Sequence, residues 1–373
     1  MSGLALRVEP VESRAALEAE WRAVEARVAP SFFLSSAWMG TWLATLPPAL
    51  RLYRAAAHRD GEIAGIAVLV ANAVRAFLRA PSRGLHLNTA GDERWDCIAI
   101  EHNGFLATPN DQSALIAALG DWFAAGAGGL GDELRLPGVA AGLSSDFLDR
   151  HRLLHSTQTR TGFAVGLGRV RAAGDFAALL SGNARQQLRR AQRDFAQDGA
   201  VAITEAGDRS EALAYFAALK ELHVRSWGRR GQRHAFVEPY FEAFHRALIE
   251  REFARGAIQL LRVTVADRAI GYLYNFRHGG RIYAYQSGFD DVDRKRRPGV
   301  VTHALAIGHN AVAGAAVYDF LAGENQLKAS FATERYELAW QVIRFPRLKY
   351  RLESAARHAK QRLLGPTRPP PPA

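Results

Sequence analysis

Four consecutive basic residues stand directly before an apolar stretch with helical spacing. This run, Arg-Lys-Arg-Arg at 294–297, is followed by Pro298 and Gly299. Backbone amides at the start of a helix lack intrahelical partners and favour negative charge, and a glycine lets a ligand approach closely. The run therefore predicts an anion site of the kind that holds a pyrophosphate. The alternative is an exposed basic turn with proline in the first helical position, which suits that residue.

A second group of reactive side chains follows an apolar strand pattern nearer the end of the chain. Asp319 lies within VYDFL, and Glu324 and Lys328 follow in the next loop. Loops at the ends of strands often carry functional groups because a rigid sheet positions them. A carboxylate in such a place can take a proton from a substrate. A glutamate and a lysine four residues apart also form ordinary surface pairs, so both interpretations stay open.

Two further candidates lie on predicted helices. Trp227 shares a helical face with His223 and precedes a basic loop at 228–231. An aromatic ring beside arginines can line the mouth of a substrate site, and it can equally close a helix against a sheet. Arg185 belongs to the pattern SGNARQQLRRAQRDF, where the arginines lie largely off the apolar face.

The elements that would position these groups are those of an α/β (α+β) protein. The second half predicts three helices, a three-stranded antiparallel meander, a helix and a buried strand. A predicted hairpin at 54–70 matches another at 262–276, which suggests two similar domains. We expect domains at 1–170 and 171–346, each a mixed, mostly antiparallel sheet flanked by helices. A basic helical tail with a Pro-rich end is expected at 347–373.

The composition limits the partners. The chain has 373 residues and a formal net charge of +11. This charge suits nucleic acid, an anionic membrane surface or a phosphorylated small molecule, although an arginine-rich composition alone can produce it. The single cysteine, Cys97, excludes an internal disulfide and a multi-cysteine metal site, and the histidines are scattered, so no metal is expected.

The predicted location is the cytoplasm. No segment approaches the ~20 apolar residues needed to span a bilayer, and the first residues lack the apolar core of a signal peptide. The tail carries apolar residues at helical spacing among basic ones. It could rest on the inner face of an anionic membrane or pack back on its domain.

The order of these elements and motifs resembles the GNAT superfamily of acyltransferases. The resemblance is closer to the CelD-type acetyltransferases, which are relatives of the FemABX transferases with two GNAT-like domains. It rests on SGNARQQLRRAQRDF, Trp227, IGYLYNFRHGGRIYAYQSGFD, RRPGVV and VYDFLAGENQLK, and it spans about 32–344. In the first half, WDCIAI reads as a strand, and its Asp96 looks like the acidic strand position of the family. The resemblance implies two tandem GNAT-like domains.

The resemblance also implies a donor and a direct transfer. The donor would be acetyl-CoA or another acyl-CoA, and the acceptor an amine, for example of an envelope or polysaccharide precursor. A strand end would contact the pantetheine arm and the thioester carbonyl, and the loop after it would hold the pyrophosphate. The residues implied are Ser287, Gly288, Phe289, Arg294, Arg296, Arg297, Gly299, Val300 and Val301. The sequence departs from the usual loop at Pro298, which has no N–H.

Transfer to a protonated amine requires a base, and the departing thiolate requires an acid. The predicted bases are Glu324 and Asp319, and Lys328 would bind an acidic acceptor or stabilise charge. The acid is open among three tyrosines: Tyr285, Tyr318 and Tyr336. The residues assigned to substrate binding are Trp227, Arg185 and Asp96.

Two other functions stay open at this point. A FemABX-like transferase would use charged tRNA, which the net charge suits, but the long coiled-coil arm of some of those enzymes is missing. A non-catalytic basic protein would bind nucleic acid or membrane with affinity that falls steeply with salt. No recognised nucleic-acid module supports the second function.

Overall fold

The computed structural model describes residues 4–75, 81–143, 145–229, 234–290, 292, 294–347 and 350. The chain forms two compact units. The first is Met1–Thr159 with Leu338–Ala373, and the second is Arg160–Glu337. No helix among these described residues is long and apolar enough to cross a membrane.

Apart from an extra two-residue strand in the first half, the same order of elements occurs twice: a strand, two helices, three strands, a helix, a strand, a short helix and a strand. The first half contains β1 (Ala5–Pro10), α1 (Arg14–Glu25), α2 (Ser36–Thr45), β2 (Arg51–Arg59), β3 (Glu62–Arg75), β4 (Pro81–Leu87), a two-residue β5 (Leu106–Ala107), α3 (Gln112–Ala124), β6 (Glu133–Ala140), α4 (Asp146–Arg150) and β7 (Leu154–Gly166). Two connecting helices follow, α5 (Leu167–Ala173) and α6 (Gly182–Ala196). The second half contains β8 (Val201–Glu205), α7 (Arg209–Gly228), α8 (Pro239–Glu252), β9 (Ile258–Val265), β10 (Arg268–His278), β11 (Arg281–Phe289), α9 (Pro298–Val312), β12 (Val317–Ala322), α10 (Gln326–Phe331) and β13 (Glu334–Arg344).

The two halves exchange their last strands. In the first unit the strand order is β1-β2-β3-β4-β6-β13, with β5 beside β3. In the second unit the order is β7-β12-β11-β10-β9-β8. Thus β13, from the second half, pairs with β6, whereas β7, from the first half, pairs with β12. Each unit is therefore completed by a strand from the other half of the chain.

Apolar spacing explains the helices and the core of the second unit. Along α6, Ala184, Leu188, Ala191 and Phe195 are buried, and the hydroxyl of Ser181 accepts the Ala184 N–H at 3.4 Å as an N-cap. In the strands, every second residue is apolar and points into the core. The core between α9 and the sheet contains Ile307 of α9 and the strand residues Leu261, Leu273, Ile282 and Phe320.

The predicted fold class, α/β with mostly antiparallel sheets flanked by helices, is confirmed. Some local predictions differ from the structure. The prediction of a strand at WDCIAI is wrong, because Asp96–Ile98 form one turn of 3-10 helix. The predicted domains 1–170 and 171–346 differ from the two units because the last strands are exchanged, and the domain limits stay a prediction. The predicted tail at 347–373 lies outside the described residues except for Arg347 and Tyr350.

Candidate functional site

The parallel strands β11 and β12 separate soon after they meet. They pair only where Arg281, Ile282 and Tyr283 face Val317, Tyr318 and Asp319. Strand β12 then has an irregular register towards β7, and Leu321 adopts a left-handed backbone with φ 64°. Within the described ranges, residues 284–289 of β11 have no strand partner on this side. We call the space between 284–289 and the end of β12 the strand gap.

Two backbone positions of β11 point into the strand gap. The Asp290 N–H donates to the Ile270 carbonyl of β10, and hydrogen-bonded and open pairs alternate along antiparallel strands. Ser287 and Phe289 are therefore open positions whose backbone groups point away from β10. The Ser287 N–H donates to the Gln286 side-chain oxygen at 3.0 Å. Strand positions of this kind can hold an extended ligand by main-chain hydrogen bonds.

Helices α7 and α9 lie on opposite faces of the sheet beside this gap. A side chain at Gly288 would meet the Leu219 carbonyl of α7. The next residue, Phe289, packs on His303 of α9 with ring centroids 5.7 Å apart and lies against Gly299. Because successive strand residues point to opposite faces, α7 and the start of α9 flank the gap from two sides. The structure thus brings together the predicted residues Ser287, Gly288, Phe289 and Gly299.

The basic run before α9 is held by α6 and the residues just after it. Arg296 donates to Asp198 at 2.5 Å and to the Asp194 carbonyl, and it lies over the Phe195 ring at 4.4 Å. Arg297, with a left-handed φ of 57°, occupies the N-cap position and donates to Gln187. The side chain of Arg294 lies outside the described part of the chain.

The backbone at the start of α9 offers few open amides. The Val300 N–H donates to the Arg297 carbonyl, Val301 is buried, and Pro298 has no N–H. The predicted anion site therefore has the start of a helix, but Arg296 and Arg297 are hydrogen-bonded to other residues of the protein.

Asp319 is fully buried at the point where β11 and β12 separate. Its carboxylate accepts from Arg281 at 2.8 Å, from the Tyr336 hydroxyl at 2.7 Å and from the Leu321 N–H at 2.8 Å. Three donors already bind this carboxylate, and they fix the bulge at Leu321. This geometry favours a positioning role over that of a base.

Glu324 and Lys328 lie at the end of β12. Glu324 is exposed and accepts from the Thr161 hydroxyl at 3.5 Å. The Lys328 ammonium donates to the Ala322 carbonyl at 3.0 Å, so it holds the last carbonyls of the strand. Its charge stands at the mouth of the strand gap, where it can attract an anionic group.

Residues 182–329 match the family model described as an acetyltransferase (GNAT) domain. This segment is similar to a GNAT acetyltransferase domain. It contains the elements from α6 to the first residues of α10, and with them the strand gap and the start of α9. The match supports an acyltransferase.

Solved structures show the same fold at low identity. The crystal structure of FemX is 14% identical, covers 94% of this chain and 99% of its own, and has a TM-score of 0.58. A Bacteroides thetaiotaomicron protein of unknown function is 10% identical, with 91% and 100% coverage and a TM-score of 0.51. The C-terminal domain of a candidate lysylphosphatidylglycerol synthetase from Agrobacterium fabrum is 10% identical, with 96% and 100% coverage and a TM-score of 0.51. No curated protein matches the chain.

A histidine and a tyrosine lie beneath the strand gap. His303 of α9 and the Tyr318 hydroxyl of β12 are 3.0 Å apart. Burial, and secondly the charge of Lys328, lower the pKa of His303 to about 3. Burial raises the pKa of Tyr318 far above its usual range. Both groups are neutral near pH 7, so Tyr318 is a poor proton donor. Of the other tyrosines, Tyr336 is bonded to Asp319, and Tyr285 packs among aromatic rings of α8 and β10.

Protonation of His303 is expected to destabilise the protein in acid. The unfolded chain binds this proton below pH ~6.5, whereas the folded chain excludes it until about pH 3. The contribution of neutral His303 to the free energy of unfolding is therefore complete above pH ~6.5. Below pH ~6.5 it falls by about 1.4 kcal/mol per pH unit. His303→Gln should reduce this slope between pH 7.5 and 5, as measured by urea unfolding at several pH values. An unchanged slope would contradict burial of a neutral imidazole.

One residue at the strand gap was missed as a site residue. His223 of α7 stacks on Trp227 with ring centroids 5.3 Å apart, and its Nδ1 lies 3.0 Å from the Ser287 carbonyl. The aromatic type of Trp227 and the arginines that follow it mark this residue in the sequence. The spacing of four residues placed His223 on the same face, and that signal was available in the sequence. Only the register of β11 shows which backbone group this histidine contacts.

Two predicted substrate residues are placed elsewhere. Arg185 donates to the carbonyls of Ala177, Ala178 and Leu180, and so braces the segment before α6. Asp96 belongs to the first unit, where its carboxylate accepts the N–H groups of Ala90 and Gly91 at 2.7 Å each. Burial raises the pKa of Asp96 to about 6. Both residues have structural partners that account for their positions.

The corresponding gap in the first unit is filled by its own chain. Strands β4 and β6 are parallel only where 84–86 face 133–135. Beyond these pairs, the Asn103 side-chain amide donates to the Leu87 carbonyl at 3.0 Å and to the Pro137 carbonyl at 2.8 Å. The Asn103 N–H donates to the Gly138 carbonyl at 2.9 Å. This asparagine therefore bridges the diverging strands and occupies the space between them.

No cluster of metal-ligating side chains occurs in the ranges given above.

Proposed function

We propose that the second unit transfers an acyl group from acyl-CoA to an amine, as a CelD-type N-acetyltransferase. The observation that carries the proposal is the strand gap, which has open backbone positions on one side and the start of α9 beside it. An extended thioester arm fits between strands that present unpaired backbone groups. The filled gap of the first unit supports the second unit as the one that reacts.

The residues of the gap would act on the thioester through hydrogen bonds. A backbone N–H aimed at the carbonyl oxygen binds most strongly when negative charge develops there. The open N–H of Phe289 has this position, and that of Ser287 has it once the Gln286 side chain turns away. The Gly299 N–H at the start of α9 would bind the donor phosphates, since the helix dipole favours anions there. Arg296 and Arg297 would keep this helix start in place through α6, with Lys295 exposed beside them.

The predicted carboxylates and lysine would serve different steps. Asp319 would hold the geometry of the two strands, since its oxygens are bonded already. Glu324 would attract the ammonium group of the acceptor, and Lys328 an anionic group of an acceptor such as an envelope or polysaccharide precursor. The acceptor class rests on the resemblance alone. The cytoplasmic location and the membrane contact rest on the apolar content and the basic tail, and they also remain part of this proposal.

The direct experiment is acyl transfer with purified protein, acetyl-CoA and a panel of amines, with charged tRNA as a second donor. Release of free CoA together with N-acylated amine supports the proposal. Saturable use of charged tRNA without use of acetyl-CoA would replace it with the FemX-like function. Native mass spectrometry of the purified protein would also detect a retained CoA species.

Two substitutions test the mouth of the gap. Glu324→Gln and Lys328→Ala should each lower kcat/KM by about tenfold, equivalent to roughly 1.4 kcal/mol, because each removes a charge that attracts the acceptor. Glu250→Gln, at another exposed glutamate of the same unit, should leave the rate unchanged. If both variants keep the wild-type rate, the acceptor does not bind at the end of β12.

A further inference from the structure

His223 occupies a defined position at the strand gap. It lies on α7 one turn before Trp227, and the residue is only 5% exposed. Its Nδ1 is 3.0 Å from the carbonyl oxygen of Ser287, a backbone position that points into the gap. A carbonyl only accepts hydrogen bonds, so Nδ1 must carry the proton. In the neutral ring the lone pair is then on Nε2, which is the tautomer that a base requires.

We propose that His223 is the base that takes the proton from the acceptor amine, an inference that rests on the proposed acyl transfer. Nε2 removes one proton from the substrate ammonium, which leaves a lone pair on nitrogen. This pair forms the C–N bond at the thioester carbonyl, and the carbonyl π electrons move to oxygen. They return as the C–S bond breaks, and sulfur leaves with the bonding pair. A second proton of the same nitrogen neutralises the thiolate, while imidazolium releases its proton to solvent.

The other candidates for this role are less suitable in the described structure. Asp319 accepts three hydrogen bonds and is fully buried. Glu324 is exposed, and His303 is engaged with Tyr318 beneath the sheet. His223 combines a position at open backbone of β11 with a fixed tautomer. Its ring contacts Trp227 and Phe236, which are partly exposed. Because His223 itself is buried, an acceptor reaches Nε2 when one of these two side chains moves aside.

Several titratable groups lie on the described elements that pack against His223. His234 touches it with ring centroids 5.9 Å apart. The elements packed against α7 contribute His245 and Glu242 from α8, Tyr274 and Tyr285 from the sheet, and Arg262 from β9. Glu242 is paired with Lys220 at 2.6 Å, and Arg262 lies over the Tyr215 ring. His234 is therefore the neighbour whose titration must be separated from that of His223.

The test uses His223→Asn, which keeps a donor near the Nδ1 position and removes the Nε2 base. For the full-length protein with acetyl-CoA and a reactive amine, kcat/KM at pH 7 should fall about 10²–10⁴-fold. The loss should shrink as pH rises towards the pKa of the free amine, and the acidic limb assigned to the base should disappear. The dissociation constant for acetyl-CoA should stay within about twofold, because the backbone contacts remain.

His234→Asn is the matched control, since it changes a neighbouring ring without a bond to Ser287. It should keep both the rate and the acidic limb. If His223→Asn keeps the wild-type rate and pH profile in an active protein, the base role is overturned and the proposed function stands. If the wild-type protein transfers no acyl group to any amine, both are overturned.

A spectroscopic readout is independent of turnover. The ¹⁵N resonances of His223, assigned by their loss in His223→Asn, should show a protonated Nδ1 and an unprotonated Nε2 in the protein without donor. The opposite tautomer would overturn the proposal.

Discussion

A fragment of residues 160–337 is expected to fold cooperatively, whereas a fragment of residues 171–346 is expected to remain largely unfolded. The first fragment contains every strand that pairs in the second unit. The second lacks the end of β7, which pairs with β12, and the start of α5. It therefore loses five buried side chains: Phe163, Ala164, Val165, Leu167 and Val170. Their burial contributes on the order of 10 kcal/mol, comparable with the whole stability of a domain.

Far-UV circular dichroism and urea unfolding would compare the two fragments at equal concentration. The full-length protein provides the reference for the helix signal. The fragments differ by only a few residues in length, so chain length does not explain a difference in folding. Equal unfolding midpoints would contradict the exchange of strands and would favour the domain limits predicted from the sequence.

Gly288→Ala is expected to lower acyl transfer by about 100-fold, because the new Cβ would stand 2.4 Å from the Leu219 carbonyl oxygen. Two further backbone atoms of Leu219 would be 3.1 Å away. Relief requires a shift of α7 by about 1 Å, and a displacement of that size is enough to misplace reacting groups. Trp227 and His223 would move with the helix. The overpacked contact should also lower the free energy of unfolding by about 1–3 kcal/mol.

Gly308→Ala is the matched control for this substitution. Gly308 lies within α9, and a Cβ there meets nothing within 4 Å. The change should raise the free energy of unfolding by about 0.5–1 kcal/mol, since alanine favours a helix interior, and transfer should be unaffected. Steady-state assays and urea unfolding of both variants measure the two effects. A fully active Gly288→Ala would show that the position of α7 against β11 is not required.

The sequence allowed much of the second unit to be predicted. The helical spacing of apolar residues and the capping residues predict α6, α7, α8 and α9 to within a few residues. Alternating apolar residues predict the meander β9 to β11. These features are local, so a single segment contains the signal. The anion-site and strand-end motifs also marked the two sides of the strand gap, at Gly299 and Asp319.

Non-local pairing could not be predicted in the same way. Strand exchange depends on the register of β13 with β6, about 200 residues earlier in the chain, and no local pattern encodes it. The pairing of Arg296 with Asp198 and of Arg281 with Asp319 likewise joins residues that are far apart in sequence. The net charge of the sequence counts these side chains as available for a ligand, whereas in the fold they form ion pairs with one another. The apolar pattern of WDCIAI predicts a strand, but its Asp96 accepts hydrogen bonds from two backbone amides of its own loop.

The exchanged strands also affect how the protein is made. Strand β6 emerges from the ribosome early, but its partner residues 338–344 follow about 200 residues later, which is ~10–40 s at usual rates of synthesis. Throughout that interval the nascent chain carries an open β6 edge that can pair with other chains. The N-terminal unit therefore cannot finish folding first, although it is translated first. We expect its yield in cells to depend on chaperones that cover this edge until translation ends.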